Sequence, residues 1–424
     1  MNAATTHANL YDILLERGLV AQATDEKIRG RLASPVTAYI GFDPTADSLH
    51  VGSLVPVMAL AWLQRCGHKP LALVGGATGL VGDPSGKTEA RRMLTREEID
   101  ANAAAIAKQI ASIVRFADGS GDATGAELVN NADWLQGLTW IEVLRDVGSR
   151  VSVNRMMSMD SVKGRLRSDS GISYLEFSYM IMQAYDFVHL YRERGCALQL
   201  GGQDQWGNIV MGIELGRKLD DADLAGLTLP LVTRSDGAKF GKSEAGNVWL
   251  DPARTSPYDF YQFWRNTADA DVQRFLAYFT FIPMDEVRRL GALEGAAINE
   301  AKQTLAHEVT RLVHGEAEAD KARDAATRAF GSGDVTGESM PSKQVKWKQD
   351  HDMLPVPGWL REAGFADSNK QAKQFIRDRA VRVWDRVVEP DETHLKASDI
   401  RNGKVLLKVG KKRMFRFDVE DPPA

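Results

Sequence analysis

The first half of the chain predicts an α/β fold, a parallel sheet covered by helices, with a helical block and a small mixed α/β module behind it. Three observations carry this expectation. Short apolar runs alternate with amphipathic stretches through the first half. Long stretches of helical character follow. The last part of the chain is basic, whereas the rest is acidic. Taken in order, Thr37–Phe42, Pro70–Val74, Ala126–Asn130 and Ala197–Leu200 read as strands, with Leu54–Cys66 and Gln205–Lys218 as helices between them. Phe260 to Gln303 and Leu305 to Ala329 read as mostly helical. The Gly- and Ser-rich stretch from Gly331 to Gln344 reads as a linker. After it, Ala380–Trp384 and Lys404–Val409 suggest a small α/β domain. The expected division is a sheet domain over 1–245, a helical domain over 246–330, a linker over 331–350 and a basic module over 351–424.

A length of 424 residues exceeds one ordinary core and favours two or three domains. With 44% hydrophobic and 26% charged residues, the chain has the composition of a soluble globular protein. The net charge of −4 argues against indiscriminate coating of nucleic acid but leaves room for a local basic surface. Residues 346–424 supply that surface, with 17 basic against 13 acidic residues. Cys66 and Cys196 lie far apart, so neither a disulfide framework nor a cysteine zinc site is expected. The first ten residues lack a basic and an apolar region, and no run reaches the roughly 18 apolar residues of a membrane span. The expected compartment is the cytoplasm.

Five polar clusters are candidates for chemistry. The first, Tyr39 to Ser53, takes a strand through a turn containing Gly41, Asp43 and Thr45 to a helix start at His50, Gly52 and Ser53. Such a place binds phosphate well; it is equally a turn with Ser48 or Ser53 as the helix cap. The second, Gly75 to Thr88, fails the phosphate-loop spacing because Val81 stands where a glycine is needed. It leaves a loop with one acid, Asp83, and one base, Lys87, or a plain surface turn. In the third, Ser173 and Glu176 form a capping box, and Tyr179, Gln183 and Asp186 share one face of the helix it opens. That face meets either water or a polar ligand. The fourth, Gln199 to Asn208 with Gly201, Gly202, Asp204 and Gln205, follows a strand, opens a helix and suits a sugar, or else caps that helix. The fifth, Lys239-Phe240-Gly241-Lys242-Ser243, offers two lysines to phosphate oxygens, or is an exposed basic turn.

In this fixed order the clusters resemble a known family. His50-Val-Gly52-Ser53 and Lys239-Phe-Gly-Lys-Ser243 are similar to the HIGH and KMSKS signatures of class I aminoacyl-tRNA synthetases. The stretches GFDPTADSLH, GGATGLVGDPSGK, YMIMQAYDF and GGQDQWGN resemble the bacterial tyrosyl-tRNA synthetases, and the likeness spans the whole chain. It implies a Rossmann-like catalytic domain, a helical domain contacting the anticodon region, and a small RNA-binding domain shared with a ribosomal protein. It implies a homodimer using L-tyrosine, ATP and tRNA, with Mg2+ carried by ATP and no metal held by protein.

The resemblance also implies roles. Tyr39 and Asp186 would hold the tyrosine hydroxyl, and Asp83, Tyr179 and Gln183 its ammonium group. Gly41, Asp43, Gly202, Asp204 and Gln205 would surround the adenylate, with Gly52 and Ser53 at the nucleotide. Thr45 and His50 would contact the γ-phosphate; Lys87, Arg91, Lys239 and Lys242 would engage pyrophosphate. Lys370, Lys373, Arg377 and Arg382 would bind tRNA backbone. Two positions depart from the family pattern: Ser53 replaces the usual His or Asn, and Trp384 replaces an Asn after a strand. A tryptophan-activating enzyme of the same fold, a nucleotidyltransferase, and a non-catalytic RNA-binding relative are the competing readings. Tyr39 with Asp186, the two lysines and the basic tail argue against them.

Overall fold

The apolar runs fold as strands buried on both faces, as a helix-covered parallel sheet requires. Ala38, Tyr39 and Ile40 of β2 (Thr37–Phe42) are all buried, as is every residue of β6 (Ala225–Leu229). With β1 (Gln22–Ala23), β3 (Lys69–Val74), β4 (Glu127–Asn130) and β5 (Cys196–Gly202), they make a six-stranded sheet of order β1-β6-β5-β2-β3-β4. All its pairings are parallel except β1 with β6. The chain winds outward in both directions from β2 and β5. The boundary between them is therefore the topological switch point, where ligands of open α/β sheets bind. The computed structural model describes residues 8–85, 94–167, 171–235, 240–243, 246–331, 342–346, 355–392, 394–410 and 413–420.

By its internal contacts the chain divides into Met1–Thr255 with Phe263–Gly315, and Ser256–Gln262 with Glu316–Ala424. In the first unit the helix Tyr174–Arg194 starts at the expected capping box and ends at Gly195 in the left-handed conformation. It crosses the helix Trp206–Asp220 closely. A Cβ on Gly212 would lie 3.1 Å from the Phe187 ring and 3.6 Å from Ala184 Cα, so a larger residue there would push the helices apart. Behind the sheet, Asp269–Phe279, Met284–Gly291 and Ile298–His314 form the helical part of this unit. Arg17, at the end of the helix Leu10–Glu16, ties it to that helix and to Trp62 of the helix Leu54–Arg65. Its guanidinium donates to the carbonyls of Ala277, Thr280 and Ile282, at 2.9, 2.9 and 2.6 Å, and lies 4.4 Å over the Trp62 ring. Burial lowers its pKa to about 10, so it stays charged at neutral pH.

The second unit contains a five-stranded sheet of order β11-β10-β12-β13-β9, from β9 (Ser342–Lys346), β10 (Val381–Val383), β11 (Arg386–Val387), β12 (Lys404–Val409) and β13 (Arg413–Glu420). β7 (Lys242–Ser243) and β8 (Gly246–Asn247) form a separate hairpin in the first unit. β9 lies inside the stretch expected to be a linker and pairs parallel with β13. Its sequence, SKQVK, shows little apolar alternation because it is an edge strand whose backbone, more than its side chains, joins the sheet. The helices Val356–Glu362 and Asn369–Arg377 complete this unit; Trp359 stands edge-on to Phe417 at 4.5 Å in its core. Trp384 sits at φ 58°, the left-handed conformation that an Asn adopts readily. Its burial and an indole hydrogen bond to Asp399 O at 2.7 Å offset that strain.

Candidate active site

Three of the five clusters leave the carboxyl ends of strands at or beside the switch point, and a fourth lies on a helix against them. The Gly41–Ser53 turn leaves the carboxyl end of β2, Gly75–Asp83 leaves β3, and Gly201–Gln205 ends β5. The helix Tyr174–Arg194 lies against this edge and turns Tyr179 and Asp186 inward; both are buried, so its polar stripe does not face water.

At the deep end, Tyr39 is 1% exposed and its hydroxyl has no hydrogen-bond partner among the described residues. Burial, and then the negative charge of Asp186, hold the phenol far above its ordinary pKa, so it remains an O–H donor. Asp186 is also buried. It accepts from Trp134 Nε1 at 2.8 Å and from Asn131 Nδ2 at 3.0 Å. Burial pushes its carboxyl up to about 7 in spite of those two donors. The Asn131 amide also donates to Thr78 Oγ1 at 2.9 Å and accepts from Ala77 N at 2.8 Å. Thr78 in turn donates to Asp43 Oδ1 at 3.0 Å, and Tyr179 donates to Asp43 Oδ2 at 2.9 Å. One chain of hydrogen bonds thus runs from Asp186 to Asp43.

A second polar group adjoins it. Gln205 Nε2 donates to Asp83 Oδ2 at 2.7 Å, and Gln205 Oε1 accepts from Gln183 Nε2 at 3.2 Å. Buried Asn208 donates to Gln183 Oε1 at 2.8 Å and fixes its orientation. Asp83 is buried and also accepts from Ser85 N, so it is not on a surface turn. Asp204 is exposed beside Gly202; the protein around it and the nearby Asp83 charge raise its pKa.

The third group is the His50 turn. His50 Nδ1 accepts from Gly52 N at 3.0 Å and caps a single 3-10 turn over Val51–Ser53; Ser53 makes no side-chain cap bond. Thr45 and His50 are exposed at this rim. Gly241 joins the first and fifth clusters. It sits at φ 82°, and a Cβ there would meet Val51 Cγ2 at 3.2 Å and Gly52 N at 3.7 Å. Its carbonyl accepts from Val248 N, whose own carbonyl accepts from Val51 N. The β7–β8 hairpin is therefore docked on the His50 turn, and the backbone of Lys242 with it. Lys87, Arg91, Lys239 and the side chain of Lys242 lie outside the described residues.

In the second unit, Lys370, Lys373 and Arg377 are exposed along the helix Asn369–Arg377, and Arg382 is the outward residue of β10. Two residues of the site escaped the sequence reading: Asn131 and Trp134. Thr78 was in view only as part of a glycine-rich loop, and Asn208 only as the last residue of the GGQDQWGN stretch.

A parallel sheet with a polar switch-point crevice, and a glycine-bearing hairpin docked on a His-x-Gly turn, defines a class I synthetase core. A family model described as tRNA synthetases class I (W and Y) matches residues 31–331, and the chain belongs to that family. Among curated relatives, the tyrosine–tRNA ligase of Desulfosudis oleivorans is 48% identical over 427 residues, covering 96% of this chain and 98% of the relative. The tyrosine–tRNA ligase of Rhizobium meliloti is 48% identical over 403 residues, covering 94% and 96%. Of solved structures, the C-terminally truncated mitochondrial tyrosyl-tRNA synthetase of Aspergillus nidulans aligns with TM-score 0.68 at 33% identity, covering 76% of this chain and 94% of that one.

Proposed function

We propose that this chain activates L-tyrosine with ATP to tyrosyl-adenylate and pyrophosphate, then transfers the tyrosyl group to the 3′ end of tRNA(Tyr). The observation that carries the choice of tyrosine is the buried pair of Tyr39, whose hydroxyl has no partner among the described residues, and Asp186. A phenol hydroxyl placed there accepts from Tyr39 and donates to Asp186. Phenylalanine leaves the buried Tyr39 hydroxyl without a partner and denies Asp186 a further donor, and burial makes that costly.

Asp83, Tyr179 and Gln183 take the ammonium group. Gly41, Asp43, Gly202, Asp204 and Gln205 surround the adenylate, with Gly52 and Ser53 beside the nucleotide. Thr45, His50, Lys87, Arg91, Lys239 and Lys242 meet the phosphates. No protein nucleophile is required. The tyrosine carboxylate attacks the α-phosphate, a P–O bond forms, and pyrophosphate leaves with the electron pair. A ribose hydroxyl of the tRNA then attacks the adenylate carbonyl and AMP leaves. The protein contributes alignment and charge stabilisation. Mg2+ arrives with ATP, as it usually does at such sites.

The helical segment meets the anticodon region, and the exposed Lys370, Lys373, Arg377 and Arg382 meet tRNA phosphates. The working form is a homodimer. Its support is a series of exposed apolar side chains in the first unit, among them Leu128, Trp140, Ile141, Leu144, Val153 and Met157. The compartment is the cytoplasm, where two cysteines stay reduced. Charging of purified tRNA with labelled tyrosine tests the whole reaction: it is expected with tyrosine and ATP together. Charging with tryptophan in its place would overturn the assignment.

A further inference from the structure

The buried Asp186 carboxylate is held in place by Trp134, so whatever orients Trp134 also sets the phenol end of the site. Trp134 is only partly buried, and it comes from a short helix, Ala132–Leu135, with one turn to anchor it. Its indole is fixed on two sides. Nε1 donates to Asp186 at 2.8 Å, and the ring face stacks on His189, with centroids 4.3 Å apart and planes 17° from parallel. His189 stands three residues after Asp186 on the helix Tyr174–Arg194, so both lie on the same face, one turn apart. The indole therefore spans that turn, bonded at one end and stacked at the other. Without the stack, the ring could pivot about its hydrogen bond and relax the direction of the N–H.

We propose that His189 is a positioning residue for substrate selection: its ring holds Trp134 at the angle that aims Asp186 at the tyrosine hydroxyl. His189 itself touches no substrate. The proposal rests on the reading of Asp186 as the phenol acceptor. Planarity, rather than basicity, is the property required, because an offset stack of two flat rings restricts tilt in a way an alkyl or amide side chain does not.

The test is ATP–pyrophosphate exchange by the full-length protein with tyrosine and with phenylalanine, for His189→Ala, His189→Gln, His189→Phe and Asp186→Asn. Circular dichroism melting checks folding, and Gln keeps volume without a ring if Ala does not fold. The expected result is a tyrosine KM raised roughly 3- to 10-fold in Ala and Gln, the scale of one aromatic contact. The tyrosine-to-phenylalanine ratio of kcat/KM falls by a similar factor, the KM for ATP holds, and His189→Phe returns both values to within about twofold of the parent. A merely structural role would move melting without changing that ratio. Loss of selectivity in Asp186→Asn but not in Ala or Gln overturns the role of His189. So does a Phe variant that behaves like Ala. Unchanged selectivity in all four variants overturns the reading of Asp186, and the inference with it.

Discussion

Asn131 donates to Asp186 Oδ2 at 3.0 Å while its Oδ1 accepts from Ala77 N at 2.8 Å, so one side chain links the loop after β3 to the buried carboxylate. The same amide donates to Thr78 Oγ1, so groups from two distant parts of the chain, Ala77–Thr78 and Asp186, converge on one residue.

Replacing Asn131 with Ala removes donors from a buried carboxylate and a buried hydroxyl. The expected cost is about 1–3 kcal/mol of stability in urea unfolding. The tyrosine KM is expected to rise about tenfold, equivalent to about 1.4 kcal/mol. An unchanged KM would show that Asn131 serves folding alone.

Asp186 gives a pH dependence with a defined sign. Its folded pKa of about 7 lies above the unfolded value of 3.8. Below the unfolded value the carboxyl is neutral in both states. As pH rises toward 7 the unfolded chain ionises and the folded one resists, so stability declines over that window. Asp186→Asn should remove this part of the decline in denaturant midpoints measured across pH. Binding runs the other way. The ionised carboxylate is the stronger acceptor of the phenol O–H, so the tyrosine KM should fall between about pH 6 and about pH 8. A KM that is flat there, or rises, contradicts the assignment.

Tyr39→Phe separates stability from function. The hydroxyl removed is buried and has no partner among the described residues, so its loss should leave stability unchanged or raise it by about 1 kcal/mol. The same change should bring the kcat/KM values for tyrosine and phenylalanine closer together. A large drop in the melting temperature would mean that the hydroxyl makes a bond that holds the fold.

Arg17→Met leaves three carbonyls without their donor at the end of the helix Asp269–Phe279. The expected loss is about 3 kcal/mol in urea unfolding, on the scale of breaking a buried charged hydrogen-bond set. A loss under about 0.5 kcal/mol would make the interaction incidental.

The basic module predicts a salt effect. Lys370→Gln with Lys373→Gln should lower the slope of log affinity for tRNA against log salt by about 0.7–0.9 for each phosphate that the variant no longer neutralises. Tyrosine activation without tRNA should not change. An unaltered slope places the RNA-binding surface elsewhere.

Four of the six strands of the large sheet were legible as short apolar runs, whereas the two-residue β1 and the fully buried β6 were not expected. Thr37–Phe42 was expected to the residue. The capping box at Ser173 was legible because it is a local motif with a fixed spacing. Residues that act through distant partners were not. Asn131 and Trp134 lie in a short helical turn without periodicity, and only the fold brings them to Asp186, more than fifty positions away. The exposed or buried state of a polar stripe is likewise set by what covers it: by sequence alone Tyr179, Gln183 and Asp186 read by default as a wet face, whereas Tyr179 and Asp186 are buried. β9 was missed for a different reason, since an edge strand can be polar throughout and still pair through its backbone.

The most direct measurement is ATP–pyrophosphate exchange with each of the twenty amino acids and no tRNA. Exchange with tyrosine, and with phenylalanine and tryptophan only at far lower kcat/KM, is the predicted result. Exchange driven by tryptophan would contradict the roles of Tyr39 and Asp186. No exchange with any amino acid would contradict catalysis itself and direct attention to Ser53.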